Sequence, residues 1–197
     1  MCSQLLSAAP EARGSGIDSD ERLIARGRAN AAARGLSDRV DLVAGDAAAA
    51  ADPADVILNI GAEHVYGDQQ AALGRLASLV RPGGVVLFGS GFWQRSPTVA
   101  QAAALGATPD DQRDLAGLVE LAIGAGLRPL EIQTANEDEW NAFESGYLAD
   151  WEKWLAGNAD DPAAPARRAD ADRHRTGWLR GYRGVLGFAY LTLAAPA

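Results

Sequence analysis

A repeated pattern near the N-terminus limits the possible folds of this chain more than any other feature. An aspartate twice follows a short apolar strand, and a helix joins the two strands. The parts occur in the order of a strand at residues 15–17, Asp18, a helix at residues 23–33, a strand at residues 40–43, and Asp46. Strands joined by a helix are typical of a parallel α/β sheet, in which ligands bind beyond the carboxyl ends of the strands. The pattern therefore predicts that Asp18 and Asp46 lie at the ligand-binding edge of such a sheet.

The two aspartates are suited to half of a nucleoside pocket. A carboxylate at the end of one strand can accept hydrogen bonds from two ribose hydroxyls, and one at the next strand can accept from an amine or amide. An aspartate after a strand is also a common N-cap residue, so Asp18 is alternatively a cap of the helix that follows it. The spacing alone leaves both interpretations open.

The composition excludes several classes of function. The chain has 197 residues, enough for one domain with a sizeable core, and a formal net charge of −8. This acidity argues against a nucleic-acid partner, because phosphate contacts require clustered Lys and Arg. Cys2 is the only cysteine, and no apolar run approaches the length of a membrane helix. We therefore expect a cytoplasmic protein with no membrane partner. We expect no metal site, because His64 and His174 are far apart and have no cysteine near them.

Strands and helices continue to alternate after Asp46. Residues 56–60 form an apolar run interrupted by one Asn, which is typical of a strand buried on both faces, and the loop 61–67 follows its carboxyl end. Further strands are predicted at residues 85–88 and 127–134. Helices are predicted at residues 72–80 and from Thr108 to Gly126, where a cap residue, a proline and two acids begin the second helix.

The last third of the chain departs from this alternation. Asn136 and Glu139 have the spacing of a capping box, and five aromatic residues follow on one face of a helix of about 20 residues. These residues are Trp140, Phe143, Tyr147, Trp151 and Trp154. A second, arginine-rich helix is predicted at residues 166–183, and a last strand at residues 184–193. His174 is interpreted as part of a solvated helix face, because arginines surround it in the sequence.

Several short motifs occur in a characteristic order along the chain. They are Gly16-Ile17-Asp18, Asp38-Arg39-Val40, Gly45-Asp46-Ala47, residues 56–59, Arg81-Pro82-Gly83-Gly84 and Gly187-Phe188-Ala189-Tyr190-Leu191. In this order and spacing they resemble class I S-adenosylmethionine-dependent methyltransferases of the small-molecule type. The resemblance covers nearly the whole chain.

The resemblance implies a fold and a domain organisation. The expected fold is α/β and Rossmann-like, with a doubly wound, mostly parallel sheet and a helical lid insertion before an antiparallel last strand. A single domain, 1–197, is expected to consist of a cofactor-binding core at 1–135, the lid at 136–183 and the last strand at 184–197.

One motif of the family is missing. Its glycine-rich first strand and turn should precede a helix at residues 2–9, but no glycine occurs before Gly14. We therefore expect the first strand of the sheet to be missing, so that residues 15–17 do not pair with residues 56–60. A chain without that strand and turn is expected to bind the cofactor weakly.

The resemblance also assigns site residues. In similar sequences the acid after the second strand binds the cofactor ribose, and the Gly-Asp after the third strand places an acid near the adenine amine. The residues expected to bind S-adenosylmethionine are Asp18, Ser19, Gly45, Asp46, Ala47, Asn59, Ile60 and Gly61. His64 is the first candidate for a catalytic base or substrate-orienting residue, and Glu63 is the second. Phe92 and Trp93 either line the acceptor pocket or pack in the core.

Two other functions remain open alongside methyl transfer to a small-molecule acceptor. A nicotinamide-dependent oxidoreductase also binds its cofactor ribose through an acid after the second strand. A truncated, non-catalytic remnant would keep the fold without the chemistry. The long helical spacer before the last strand favours the methyltransferase.

Overall fold

The computed structural model describes residues 2–197, with side chains from residue 5 onward. The chain divides into two compact units, Met1–Asp52 and Pro53–Ala197, called unit 1 and unit 2 below.

Unit 1 has the predicted strand–helix–strand order. Its elements are α1 (Cys2–Ala8), β1 (Gly14–Asp18), α2 (Glu21–Ala32) and β2 (Val40–Ala44). β1 and β2 are parallel, and Asp18 pairs with Ala44. The backbone N–H of Gly45 donates to the carbonyl of Asp18 at 2.9 Å, which extends the pairing one residue beyond the strands. The two acid-bearing strand ends are therefore neighbours, as the sequence predicted.

Unit 2 contains a mixed four-stranded sheet. Its elements are β3 (Ala54–Ile60), α3 (Gln69–Leu79), β4 (Val80–Trp93), α4 (Val99–Ala103), α5 (Leu115–Gly124), β5 (Arg128–Thr134), α6 (Glu137–Gly157), α7 (Ala164–Thr176) and β6 (Leu186–Ala194). The strand order is β3-β4-β6-β5. β3 and β4 are parallel, whereas β6 is antiparallel to both β4 and β5. The predicted antiparallel last strand is confirmed, and among the described residues β1 pairs with β2 and not with β3, as expected.

The core of unit 2 lies between one face of the sheet and helices α3 and α5. Alternate residues of β4 and β6 point to this face, because side chains alternate along a strand. Phe88 and Leu191 are directly opposite each other and fully buried. Leu73 and Leu76 of α3 and Leu118 of α5 complete the cluster. This packing fixes the carboxyl ends of β3 and β4 relative to the start of α3.

The predicted turn before the fourth strand occurs inside β4 as a register shift. Ala54 pairs with Val80, but Val56 pairs with Val85, so residues 81–84 have no counterpart on β3. Gly83 has a φ of 74°, a conformation that glycine adopts without strain. The motif Arg81-Pro82-Gly83-Gly84 therefore interrupts the pairing of β4 with β3.

Helix boundaries differ from the sequence prediction in two places. α5 begins at Leu115 rather than after Thr108, and Asp114 is its N-cap. The predicted helix 166–183 ends earlier as an α-helix, at Thr176, and continues as a π-helical segment, Gly177–Tyr182. The capping box of α6 is confirmed: the Asn136 side chain accepts from the Glu139 N–H, and the Glu139 carboxylate accepts from the Asn136 N–H.

Candidate functional site

Asp18 is not the cap of the helix that follows it. The N-cap of α2 is Asp20, whose carboxylate accepts a hydrogen bond from the Arg22 N–H at 2.8 Å. The Arg22 side chain also binds this carboxylate and lowers the pKa of Asp20 to about 2. Asp18 instead uses one oxygen, Oδ1, to accept from the Asp20 N–H at 2.8 Å. Within the described residues its second oxygen has no hydrogen bond, so this oxygen is open to a ligand.

Asp46 has a local structural role. It is the N-cap of a one-turn 3-10 helix, Ala47–Ala49, and its Oδ1 accepts from the Ala48 N–H at 2.9 Å. The other predicted cofactor residues of unit 1 lie beside the two acids: Ser19 is exposed, and Gly45 and Ala47 are half-buried. The structure therefore brings all five predicted residues of unit 1 together at the carboxyl ends of β1 and β2.

The end of β3 carries the remaining predicted cofactor residues. Asn59 is buried, and its side-chain Oδ1 has no hydrogen-bond partner among the described residues. Ile60 pairs with Gly89 of β4. Gly61 has a φ of 66°, and its N–H donates to the Gly89 carbonyl at 2.7 Å. A glycine is required here, because the chain leaves the sheet in a left-handed conformation.

A buried polar network follows directly after β3. The Gln69 amide, at the start of α3, donates to the Ser90 hydroxyl at 2.9 Å and to the Gly91 carbonyl at 2.7 Å. The Ser90 hydroxyl donates to Glu63 Oε1 at 2.9 Å. Gln69 and Ser90 are both buried. One oxygen of Glu63 is thus held in a fixed position by an ordered chain of hydrogen bonds.

The second oxygen of Glu63 has no partner. Glu63 Oε2 is buried, and no described residue donates a hydrogen bond to it. A buried acceptor without a partner costs free energy unless a ligand or water supplies a donor. Glu63 Oε2 and Asn59 Oδ1 are therefore two acceptors at the end of β3 that can bind a donor of a ligand, and the Glu63 carboxylate can also take a proton.

His64 is placed less favourably than Glu63. Both residues lie in the one-turn 3-10 helix Glu63–Tyr66, but the His64 side chain is exposed. Of the two predicted catalytic residues, Glu63 has the defined environment. Sequence reasoning missed Gln69 and Ser90, although a serine near the carboxyl end of a buried strand was the available signal.

The aromatic residues after β4 lie in the core. Phe92 and Trp93 are buried, and the Trp93 indole N–H donates to the Pro109 carbonyl at 2.8 Å. On α6, Phe143 and Tyr147 are exposed, whereas Trp140 and Trp151 pack against a cluster that includes Trp178 and Leu186. Phe92, Trp93 and part of the α6 stripe therefore pack in the core, and Phe92 and Trp93 also line a cavity of about 380 Å³.

The interpretation of His174 as a solvated residue was wrong. His174 Nε2 lies 2.7 Å from Oε2 of Glu144, whose side chain is 4% exposed. The Tyr182 hydroxyl donates to the other oxygen of Glu144 at 2.8 Å. Burial raises the pKa of Tyr182, and the hydrogen bond to Glu144 raises it further. The sequence neighbours of His174 are arginines, but its spatial partner is 30 residues away on α6.

Comparison with known proteins shows what this architecture is similar to. A family model described as a methyltransferase domain matches residues 1–84. The chain is 29% identical over 187 residues to the uncharacterized protein YjhP of Escherichia coli K12, covering 92% of this chain and 75% of YjhP. The solved structure of YjhP matches with a TM-score of 0.87 and 28% identity over 99% of this chain and 81% of that one.

Two further structures are of S-adenosylmethionine-dependent methyltransferases in complex with S-adenosyl-L-homocysteine. The protein from Geobacter sulfurreducens matches with a TM-score of 0.83 and 28% identity, over 94% of this chain and 76% of that one. The protein from Thiobacillus denitrificans matches with a TM-score of 0.82 and 28% identity, over 93% and 76%.

The fold is thus the Rossmann-like α/β fold of methyltransferases. A methyltransferase domain model matches residues 1–84, and the chain is similar over nearly its whole length to S-adenosylmethionine-dependent methyltransferases. The alternative of a nicotinamide-dependent oxidoreductase is not supported, because the matching family model and these relatives of stated activity are methyltransferases. Among the described residues, no helix combines the length and apolar character needed to cross a membrane.

Proposed function

We propose that this chain binds S-adenosylmethionine and transfers its methyl group to a small-molecule acceptor. The observation that carries the proposal is the open oxygen of Asp18 at the carboxyl end of β1, beside Gly45 and Asp46. The complexes of the Geobacter and Thiobacillus relatives with S-adenosyl-L-homocysteine support the choice of cofactor.

The residues present fit this cofactor. In unit 1, Asp18 would accept hydrogen bonds from ribose hydroxyls, and Asp46, with Gly45 and Ala47, would accept from the adenine amine. Ser19 lies next to Asp18 in the chain. Unit 2 by itself offers the buried and unpaired Oδ1 of Asn59, an acceptor suited to a cationic amino group, with Ile60 and Gly61 next to it in the chain.

Glu63 is the proposed base. When bound, the cofactor would supply an electrophilic methyl group on a sulfonium and leave as a neutral thioether. Glu63 Oε2 would take the proton that the acceptor O or N loses on methylation. The Ser90 hydroxyl holds Glu63 Oε1 in place, so the second oxygen keeps a fixed direction. His64, on the same turn but exposed, orients the acceptor.

The test is cofactor binding measured by calorimetry with S-adenosyl-L-homocysteine. Asp18→Asn should weaken binding by about 1.5–3 kcal/mol, or roughly 10- to 150-fold in dissociation constant, because it removes charge-assisted hydrogen bonds. Asp41→Asn is the matched control: the same change on the exposed side of β2, with no expected effect.

Two results would contradict the proposal. If the wild-type chain does not bind S-adenosyl-L-homocysteine at millimolar concentration, the non-catalytic remnant becomes the better description. If Asp18→Asn and Asp41→Asn bind equally well, the ribose is held elsewhere.

A further inference from the structure

A cavity lies between helices of unit 2, and no residue of the loop that carries Glu63 lines it. Its volume is about 520 Å³, within the range of small-molecule sites. The walls come from the chain after α4, from α6 and α7, and from the π-helical segment. The lining residues are Ala104, Leu105, Trp151, Asp170, Arg173, His174 and Tyr182.

Most polar groups of this cavity are already paired. The Tyr182 hydroxyl is bound to Glu144, and so is Nε2 of His174. Asp170 and Arg173 form an ion pair with each other, and both side chains are more than half exposed. These groups have little capacity left for a ligand inside the cavity.

The exception is Nδ1 of His174. The buried Glu144 accepts the Tyr182 hydrogen bond on one oxygen and presents the other to His174 Nε2. A carboxylate can only accept, so Nε2 carries a proton, and in the neutral form of the imidazole Nδ1 is an acceptor. Nδ1 has no hydrogen-bond partner among the described residues, and the side chain is 30% exposed.

Aromatic side chains surround this acceptor. The Tyr147 ring lies 5.1 Å from the His174 ring, centroid to centroid, and the Trp151 ring lies 6.1 Å from it. Trp151 and Leu105 form flat, apolar parts of the cavity wall. Such walls favour a ring system, which stacks or meets them edge to face.

We propose that this cavity binds a flat aromatic ligand whose phenolic hydroxyl donates a hydrogen bond to His174 Nδ1. The ring packs against Trp151 and Leu105. Glu144 and Tyr182 do not touch the ligand; they fix the tautomer and the orientation of the imidazole.

The test uses 2-naphthol as the probe and 2-methoxynaphthalene as its matched control, which keeps the rings but has no donor. Calorimetry on the full chain should show 2-naphthol binding roughly tenfold more tightly, the effect of one hydrogen bond. His174→Phe should abolish this preference and leave the affinity for 2-methoxynaphthalene unchanged. His64→Phe makes the same substitution at the chain's other histidine and should keep the preference. Trp151→Leu should weaken both ligands.

A second readout covers the case in which His174→Phe does not fold. The chain has two histidines, so their imidazole nitrogen signals are assigned by comparing wild type with His64→Phe. Addition of 2-naphthol, but not 2-methoxynaphthalene, should shift the His174 Nδ1 signal. Equal affinity for the two ligands, loss of the preference in His64→Phe alone, or an unmoved His174 signal would each overturn the proposal.

Discussion

Two carboxylates of unit 2, the buried Glu144 and the half-buried Glu63, differ in how completely they are paired. Both oxygens of Glu144 are bound, one by Tyr182 and the other by His174. Glu63 has only one oxygen bound, by Ser90, and its other oxygen is buried without a partner. Both carboxylates belong to helical segments of the same compact unit.

This is the difference expected between a stabilising group and a ligand-binding one. A fully satisfied buried network holds its elements together, and here it joins α6 to α7 and to the π-helical segment. A half-satisfied network costs free energy in the absence of a ligand and regains it on binding or proton transfer. We therefore expect changes at Glu144 to affect mainly stability, and changes at Glu63 to affect mainly chemistry.

The largest expected effect on stability comes from Glu144→Leu. The substitution leaves the buried Tyr182 hydroxyl and the His174 N–H without acceptors, so the free energy of unfolding should fall by about 2–4 kcal/mol. Urea denaturation followed by tryptophan fluorescence measures this. All five tryptophans lie in unit 2: Trp93, Trp140, Trp151, Trp154 and Trp178.

Glu152→Leu is the matched control on the same helix. Glu152 pairs with Arg175, but its side chain is 49% exposed, so the loss should be below about 1 kcal/mol. Equal losses in the two variants would show that the Glu144 network adds nothing beyond a surface ion pair.

Gln69→Leu should have an intermediate effect. It removes the donor to both the Ser90 hydroxyl and the Gly91 carbonyl, so we expect a loss of about 1–3 kcal/mol in the free energy of unfolding. Gln70→Leu, the same change at the exposed next residue of α3, is the control and should stay within about 0.5 kcal/mol. A loss at Gln69 no greater than that at Gln70 would mean that the network does not order the end of β4.

The local parts of the fold could be predicted from the sequence because their causes are local. The strand–helix–strand order of unit 1 follows from apolar spacing, and the start of α6 follows from the capping box of Asn136 and Glu139. The start of α5 could not be predicted in this way. The Trp93 N–H donates to the Arg113 carbonyl at 2.8 Å, so a contact from β4 holds that segment extended and delays the helix to Asp114.

The sequence predicted only those site residues whose position follows from the order of the strands. Asp18, Asn59 and Glu63 follow strands and could be found by position. Ser90 and Gln69 are 21 residues apart, and His174 is 30 residues from Glu144, so their pairing depends on how the sheet and helices pack. The arginines next to His174 in the sequence indicated exposure to solvent. In the structure, the contact with Glu144 of α6 sets the orientation of the ring.

The contrast between the two carboxylates is tested most directly by urea denaturation of Glu63→Gln and Glu144→Gln side by side. Glu63→Gln keeps an oxygen to accept from Ser90, whose hydroxyl also lies 3.4 Å from the Gly91 carbonyl. Its free energy of unfolding should change by less than about 0.5 kcal/mol. In Glu144→Gln, either the new amide N–H faces the N–H of His174 or one of the two hydrogen bonds to residue 144 is lost. The free energy of unfolding should therefore fall by about 1–3 kcal/mol. A cost at Glu63 equal to or greater than that at Glu144 would contradict the assignment of Glu63 as the ligand-binding carboxylate and Glu144 as the stabilising one.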